Sequence, residues 1–471
     1  MFGKANKKEA LSQNFSIPHQ CHFYFLWIGM LVSMIGSGMT CFAQSVAVYT
    51  EMGGSVMDLT LLAVLAQIPG VLITPVAGVL VDRWDRRWVM IIGNTVAALA
   101  TLSLRMLLVS TSIEIWHLYI FVVIISLANH FQWPAYFSTV PLMVSKDKIS
   151  SANGLVQMSR SVGILAAPII AGIAVTNFKL KGVVLFDMST YLFALTILLF
   201  VKIPKVSTNP MKMAKKFSFI EEILYGWKYL TDRRPLLSLL IFFVFANFIN
   251  AGLRILIIPL GLSFGSPKAL GGILSVCALC MILGGITMGI WGGPKRKVYG
   301  ILSILFMQSL VLIFMIGRPN LTLIIIGLVL ITFTDPILNA CGGTLWHEKV
   351  SLGVQGRVLS IYTMLCAAAT QLGSIFAAIM SDYFFIPLFS EDGFLTNHLG
   401  HIMGSGNSSA FCFLIIILGT FSLILATIGF LYKPLRFLDS RIPDEEHAKG
   451  NLKPIKLEPV IATGACQVRQ P

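Results

Sequence analysis

Long apolar runs separated by short polar breaks fill most of this chain. Twelve runs stand out, at roughly 23–48, 59–81, 88–110, 117–140, 152–176, 183–201, 236–260, 269–291, 298–317, 321–346, 358–381 and 410–432. A bilayer core takes roughly 20 mostly apolar residues in one helix. A transmembrane barrel would instead alternate over roughly 10-residue segments, and no such alternation is visible. The pattern predicts an all-α, polytopic membrane protein with 12 transmembrane helices. The longest inner break, about 202–235, divides them into two six-helix bundles. The expected organisation is an N-terminal tail 1–22, a bundle 23–201, a linker 202–235, a bundle 236–432 and a tail 433–471. Within the linker, FSFIEEILYGWKYL places Phe219, Ile220, Ile223, Leu224, Trp227 and Leu230 at helical spacing. This predicts an amphipathic helix lying on the membrane surface. The polar tail after Tyr432 reads as disordered. The first 20 residues are polar and basic, and the run after them is too long for a signal peptide, so no cleavable signal is expected.

Composition agrees. Of 471 residues 56% are hydrophobic and 12% charged, against roughly 25% charged in soluble domains. The connections after the even-numbered spans hold 18 Lys and Arg, and those after the odd-numbered inner spans hold Lys179, Lys181, Lys268 and Arg318. The positive-inside rule then puts both termini in the cytoplasm. That bias, with anionic lipid contact, accounts for a net charge of +14. Nucleic acid is not an expected partner, because the basic residues are dispersed in short loops. Cys277 and Cys280 form a CxxC inside an apolar run, without a second ligand pair, and read as small buried hydrophobes. HEKVS (347–351) lacks the second histidine of a zincin helix, and neither GSGMTC nor GSGNSS carries the third glycine of a dinucleotide loop. The expectation is a non-enzyme with no metal or cofactor and no ATP site.

The halves repeat faintly. Phe131 and Pro134 in span 4 recur 202 residues later as Phe333 and Pro336 in span 10, and Gly154 recurs at the same offset as Gly356. Repeated halves with Pro-bearing helices are the architecture of secondary transporters.

GVLVDRWDRR (78–87), between spans 2 and 3, resembles the signature of the major facilitator superfamily: Gly78, three residues, Asp82, then Arg86 and Arg87. Asp85 stands where the family usually has glycine. GGPKRK (292–297) is similar to the degenerate copy between spans 8 and 9. In span 5, Gly154, Gly163, Pro168 and Gly172 resemble the antiporter motif of proton-coupled exporters, with two glycines replaced by alanine. Small residues there permit close helix packing. The segments 33–55, 131–157 and 335–360 are similar to the drug:H⁺ antiporter branch that includes macrolide-efflux and enterobactin-exporter proteins. The outer loop 381–406 looks like that of exporters tied to siderophore pathways.

The resemblance implies a monomeric antiporter working by alternating access, driven by the proton gradient, with spans 1, 4, 7 and 10 lining a central cavity. Its cargo would be a small organic molecule: a siderophore, a peptide-type metabolite or a macrolide-like drug. The alternative is an importer of the same fold. Charges inside spans are Arg105, Arg160, Asp187, Arg254 and Asp335, each a functional candidate because each is expensive in lipid. Asp335 is the expected proton carrier, His130 the second and Asp187 the third, with Asp187 expected to pair with Arg105 or Arg254. Gln44, Asn129, Trp133, Asn247, Asn250 and Arg254 are the expected cavity wall, suited to a polar, even anionic, cargo. Gly78, Asp82, Arg86, Arg87, Arg160 and Arg357 are the expected gate, Asp82 meeting Arg357 across the bundles or Arg160 within its own.

Overall fold

The computed structural model describes residues 17–110, 113–144, 149–201, 203, 219–317, 319–351, 354–391 and 393–438. The terminal tails, with the disorder expected after Tyr432, lie largely outside the described residues. Helices follow in order: α1 (Ile17–Thr50), α2 (Val56–Arg83), α3 (Arg86–Ser110) and α4 (Ile115–Met143). A run Ile149–Phe200 is broken at Lys179, whose φ of 54° makes a sharp reversal, into α5 (149–178) and α6 (180–200). After α7 (Phe219–Thr231) come α8 (Arg234–Phe264), α9 (Pro267–Trp291), α10 (Lys297–Ile316), α11 (Leu321–Lys349) and α12 (Gln355–Leu388). The order closes with α13 (Phe394–Met403), α14 (Asn407–Leu431) and α15 (Lys433–Arg436).

Among the described residues, ten helical segments are long and apolar enough to cross a membrane, counting Ala166–Phe200 once and leaving out α2. All twelve expected spans fall on helices. Their ends are set by local chemistry. Ser266 caps α9 by accepting from the Ala269 N–H, with Pro267 in the first turn, and Gly292 at φ 76° ends it. Asn320 caps α11 through the N–H groups of Thr322 and Leu323. The segment 381–406 departs from the expected loop. Helix α12 continues through a π-helical turn, Met380–Phe385, to Leu388, and α13 follows. The linker contains the helix α7. It packs on α12, where a Cβ at Gly226 would lie 2.8 Å from Ile361 Cδ1.

The buried core has an uneven layout. The ends of α1 and α2 around residues 50–56 define one face, called here the loop face. The face holding Arg83, Met143 and Leu431 is called the terminal face. On the loop half, one apolar cluster joins both bundles, from Met39 and Val56 through Leu256 and Phe411. On the terminal half the core splits in two. Phe23, Met90, Tyr136 and Leu198 pack together in the first bundle, and Leu240, Leu302, Trp346 and Ile361 in the second. The bundles are thus sealed on the loop face and parted on the terminal face. Part of the seal is the crossing of α5 and α9. A Cβ on Gly271 would lie 2.4 Å from the Pro168 carbonyl oxygen and 3.3 Å from Gly172 Cα.

Candidate functional site

Two polar regions occupy the apolar interior. In the second bundle, Asp335 lies midway along α11, a turn of sequence whose remaining residues are almost all apolar. Gln308 of α10 donates to Asp335 Oδ1 at 3.1 Å and to Thr334 Oγ1 at 2.9 Å. Arg254 of α8 places Nη2 3.9 Å from Asp335 Oδ2. Three helices therefore converge on one carboxylate. Arg254 keeps 74% of its side chain exposed, Asp335 25%. The carboxylate can hold either the neighbouring cation or a proton.

The first bundle holds a cavity of about 550 Å³ on its terminal half, lined by α1, α3, α4, α5 and α6. Its polar lining includes Asn94, Asn129, His130, Gln132, Trp133 and Tyr136. The five on α4 share one face because they recur at helical spacing. His130 Nδ1 lies 2.8 Å from the Ser126 carbonyl, which only accepts, so this nitrogen carries hydrogen. Its ring rests in a notch on α2. A Cβ on Gly70 would fall 1.9 Å from His130 Cε1.

The expected cavity wall divides. Asn129 and Trp133 line the cavity, together with the proton candidate His130. Gln44, Asn247, Asn250 and Arg254 do not. Asn247 and Asn250 turn their amides back onto their own helix, donating to the Phe243 and Ala246 carbonyls at 2.8 and 2.9 Å. Gln44 is buried, 3% exposed, with Nε2 unpartnered among the described residues. The ion pair expected for Asp187 is also corrected. Arg254 is taken by Asp335, and Asp187 accepts from Thr40 Oγ1 at 2.7 Å and Thr190 Oγ1 at 3.3 Å. Gly36 makes room for this group, since a Cβ there would lie 2.7 Å from Asp187 Oδ1. Arg105 keeps a buried Nη1 without a hydrogen-bond partner among the described residues.

The expected gate resolves only in part. The side chains at positions 78, 82, 154 and 160 (Gly78, Asp82, Gly154, Arg160) lie outside the described residues. Asp85 accepts from the Arg87 N–H at 3.0 Å, the bond of an N-cap on α3. Arg87 donates to the Leu198 and Leu199 carbonyls at 3.1 and 2.7 Å, tying α3 to the end of α6. These three contacts lie inside one bundle. Arg86 remains at the first turn of α3. Arg357 stacks over the Tyr225 ring of α7 at 5.2 Å. In the antiporter-like motif, Gly163 packs on Met34, and Pro168 and Gly172 form the seam with α9.

Sequence reasoning missed a cross-bundle contact on the loop face. Asp382, carried by the π turn of α12, accepts from the Val56 and Met57 N–H groups at 3.2 and 2.7 Å. A carboxylate of one bundle thus caps the first turn of α2 in the other, where the helix dipole favours negative charge. Asp58 completes the cluster, accepting from the Ser55 N–H at 2.8 Å and from Tyr119 Oη at 2.7 Å. Gln308, Gln132 and Tyr136 were missed as well, being neutral residues without a motif.

Comparisons with known proteins agree with this geometry. Macrolide efflux protein A of Streptococcus pyogenes is 24% identical over 364 residues, covering 76% of this chain and 89% of that protein. Its namesake in Enterococcus faecalis is 24% identical over 324 residues, covering 68% and 99%. Among solved structures, a bacterial homolog of the human lysosomal transporter Spinster, inward-facing and occupied, superposes with a TM-score of 0.67 at 15% identity, covering 93% of this chain and all of that one. That likeness is one of fold. The model of the Major Facilitator Superfamily matches residues 26–378, three quarters of the chain, and the two joined bundles are that family's architecture. This chain belongs to the Major Facilitator Superfamily of membrane transporters.

Proposed function

We propose that this protein is a proton-coupled antiporter that exports a small organic molecule by alternating access across the bacterial cytoplasmic membrane, as a monomer with both termini in the cytoplasm. The observation that carries the reading is the Arg254–Asp335–Gln308 cluster. A carboxylate in the middle of an apolar helix is costly unless it is used, and here a proton and a guanidinium compete for it. Loading the proton removes the charge opposite Arg254, and losing it restores the pair. Such an exchange changes the contact between α8 and α11. A ligand shifts a conformational equilibrium only through contacts that differ between the states, and this contact differs. With cytoplasmic termini, the parted terminal face is the one that receives cargo. The relatives named for macrolide efflux support export over import and a macrolide-like cargo.

The test is transport in proteoliposomes with an imposed pH gradient and a radiolabelled macrolide as probe. Wild-type protein should move the probe against the proton flux. Asp335→Asn should retain exchange without a gradient and lose the gradient-driven part. Full gradient-driven transport by Asp335→Asn would overturn the assignment, and movement of probe and proton in the same direction would replace export by import.

A further inference from the structure

The cavity of the first bundle has a chemistry of its own. Among the described residues, none that lines it is an aspartate, glutamate, lysine or arginine. Leu26, Met30, Met34, Met90, Ile197 and Leu198 make much of the wall apolar. The polar part is biased towards donors, and the hydrogen bonds behind it show why. Asn94 Nδ2 lies 2.9 Å from the Met90 carbonyl and 3.3 Å from Gln132 Oε1. A carbonyl can only accept, so the nitrogen of Asn94 must be the atom facing it. Its second hydrogen then meets Gln132 Oε1, which fixes the Gln132 amide with its NH₂ turned away. Gln132 cannot retreat, because it lies across the bare backbone of Gly93, where a Cβ would sit 2.4 Å from Gln132 Cγ.

Gln132 Nε2 is buried and has no hydrogen-bond partner among the described residues, and the same holds for Tyr136 Oη, one helical turn further on. Tyr136 is 5% exposed. An unmet buried polar group costs about 1–3 kcal/mol, so two such groups on residues that line one cavity mark a place built to be satisfied by something else. The volume suits it: small-molecule pockets run from about 300 to 1,000 Å³.

We infer that this cavity is a cargo-binding site for an uncharged, amphipathic molecule that presents carbonyl or ether oxygens, with Gln132 Nε2 and Tyr136 Oη donating to them. The inference rests on the transporter reading but not on proton coupling. Among the described lining residues a carboxylate cargo would meet no lysine or arginine, and an ammonium cargo would meet donors where it needs acceptors. The site lies on the terminal half, where the two cores have separated, so it is placed to load when that face is open. Phospholipid esters offer the same oxygens, and the experiment separates the two sources.

The experiment is equilibrium binding to the purified full-length chain in nanodiscs, with no gradient, using an uncharged macrolactone aglycone as the probe. The same scaffold carrying a carboxylate, or a quaternary ammonium, is the comparison. Tyr136→Phe removes only the hydroxyl, and Gln132→Met removes the amide at similar length. The aglycone should bind more tightly than either charged form, and each substitution should raise its Kd about three- to tenfold, the worth of one hydrogen bond. Trp133 lines the cavity, so quenching of its fluorescence, isolated by comparison with Trp133→Phe, should follow the aglycone. Unchanged Kd in both variants would overturn the site. Retention of an ester phospholipid by wild type but not by Tyr136→Phe would overturn the cargo assignment in favour of a lipid. Because binding is read without a gradient, its failure is distinct from a failure of Asp335 to carry a proton.

Discussion

The two bundles of this transporter share a fold and differ in what they bury. The first holds a cavity of about 550 Å³ bounded by amides, aromatic rings and apolar side chains, with no Asp, Glu, Lys or Arg among the described residues of the wall. In the second, a void among α8, α9, α10 and α11 holds only about 20 Å³ and is entirely apolar, while Asp335, Arg254 and Gln308 meet nearby. In the second bundle the charge meets its partners among packed helices, while the described wall of the first bundle's cavity carries neither carboxylate nor strong base. The separation has a physical logic. A charge inside a roomy pocket would be hydrated and would restrict the cargo. A charge packed among helices registers each protonation as a change in helix contact.

The sharpest way to break this comparison uses the two buried carboxylates, one per bundle. Asp335 faces a cation, and Asp187, 1% exposed, faces only the hydroxyls of Thr40 and Thr190. Replacing Asp335 by Asn should reduce proton-driven flux to the level seen without a gradient. Replacing Asp187 by Asn keeps an oxygen for the threonines, and should leave proton-driven flux measurable while lowering thermal stability by about 1–3 kcal/mol, the cost of a mispaired buried polar group. Parallel flux assays in proteoliposomes decide it. If Asp187→Asn uncouples as completely as Asp335→Asn, charge transfer is not confined to the second bundle.

What was readable in the sequence follows the same division. The twelve spans were legible because hydrophobic length is a strong signal, and Asp335 because a single charge in an apolar run is conspicuous. The cavity was half legible. Asn129, His130 and Trp133 were found, while Gln132 and Tyr136, on the same face of α4, were not. Their spacing from Asn129 was a usable signal. Their partners were not visible, since Asn94 and Gly93 lie on another helix. The partner of Arg254 was not legible, because nothing local shows that a residue 81 positions away lies beside it. Asp382 was lost because the apolar pattern ends near it. The helix continues only through a π turn, held by packing of Phe385 and Phe389 on Phe413.

Asp382 offers a smaller, graded test of how the bundles communicate. Its carboxylate takes two N–H groups from the start of α2 and so holds the loop face shut. Asn at this position keeps one acceptor and loses the charge. Interactions of a charge with a helix terminus are worth about 0.3–1 kcal/mol, so the open-to-closed ratio on this face should rise about two- to fivefold. Spin labels at Glu51→Cys and Glu391→Cys, both exposed on the loop face, would report it in a background cleared of the eight native cysteines. An unchanged distance distribution would remove Asp382 from the gate and leave the α5–α9 seam to hold the face.

The smallest effect concerns Asp85, where the family usually has glycine. Its side chain caps α3 through the Arg87 N–H, and Arg87 in turn holds the α6 carbonyls of Leu198 and Leu199. Both contacts stay within the first bundle, beside the cavity wall that α3 and α6 supply. Glycine is itself a tolerable N-cap, so Asp85→Gly should lower the stability of detergent-solubilised protein by only a few tenths of a kcal/mol, whereas Asp85→Ala should cost about 1 kcal/mol. Thermal unfolding of the three proteins side by side measures the order. Transport should follow stability and show no separate defect, because the cap and the Arg87 contacts lie within one bundle. A loss of proton-driven flux in Asp85→Gly larger than its stability loss would place this turn in the gate after all, and the first bundle would then carry charge with a conformational role of its own.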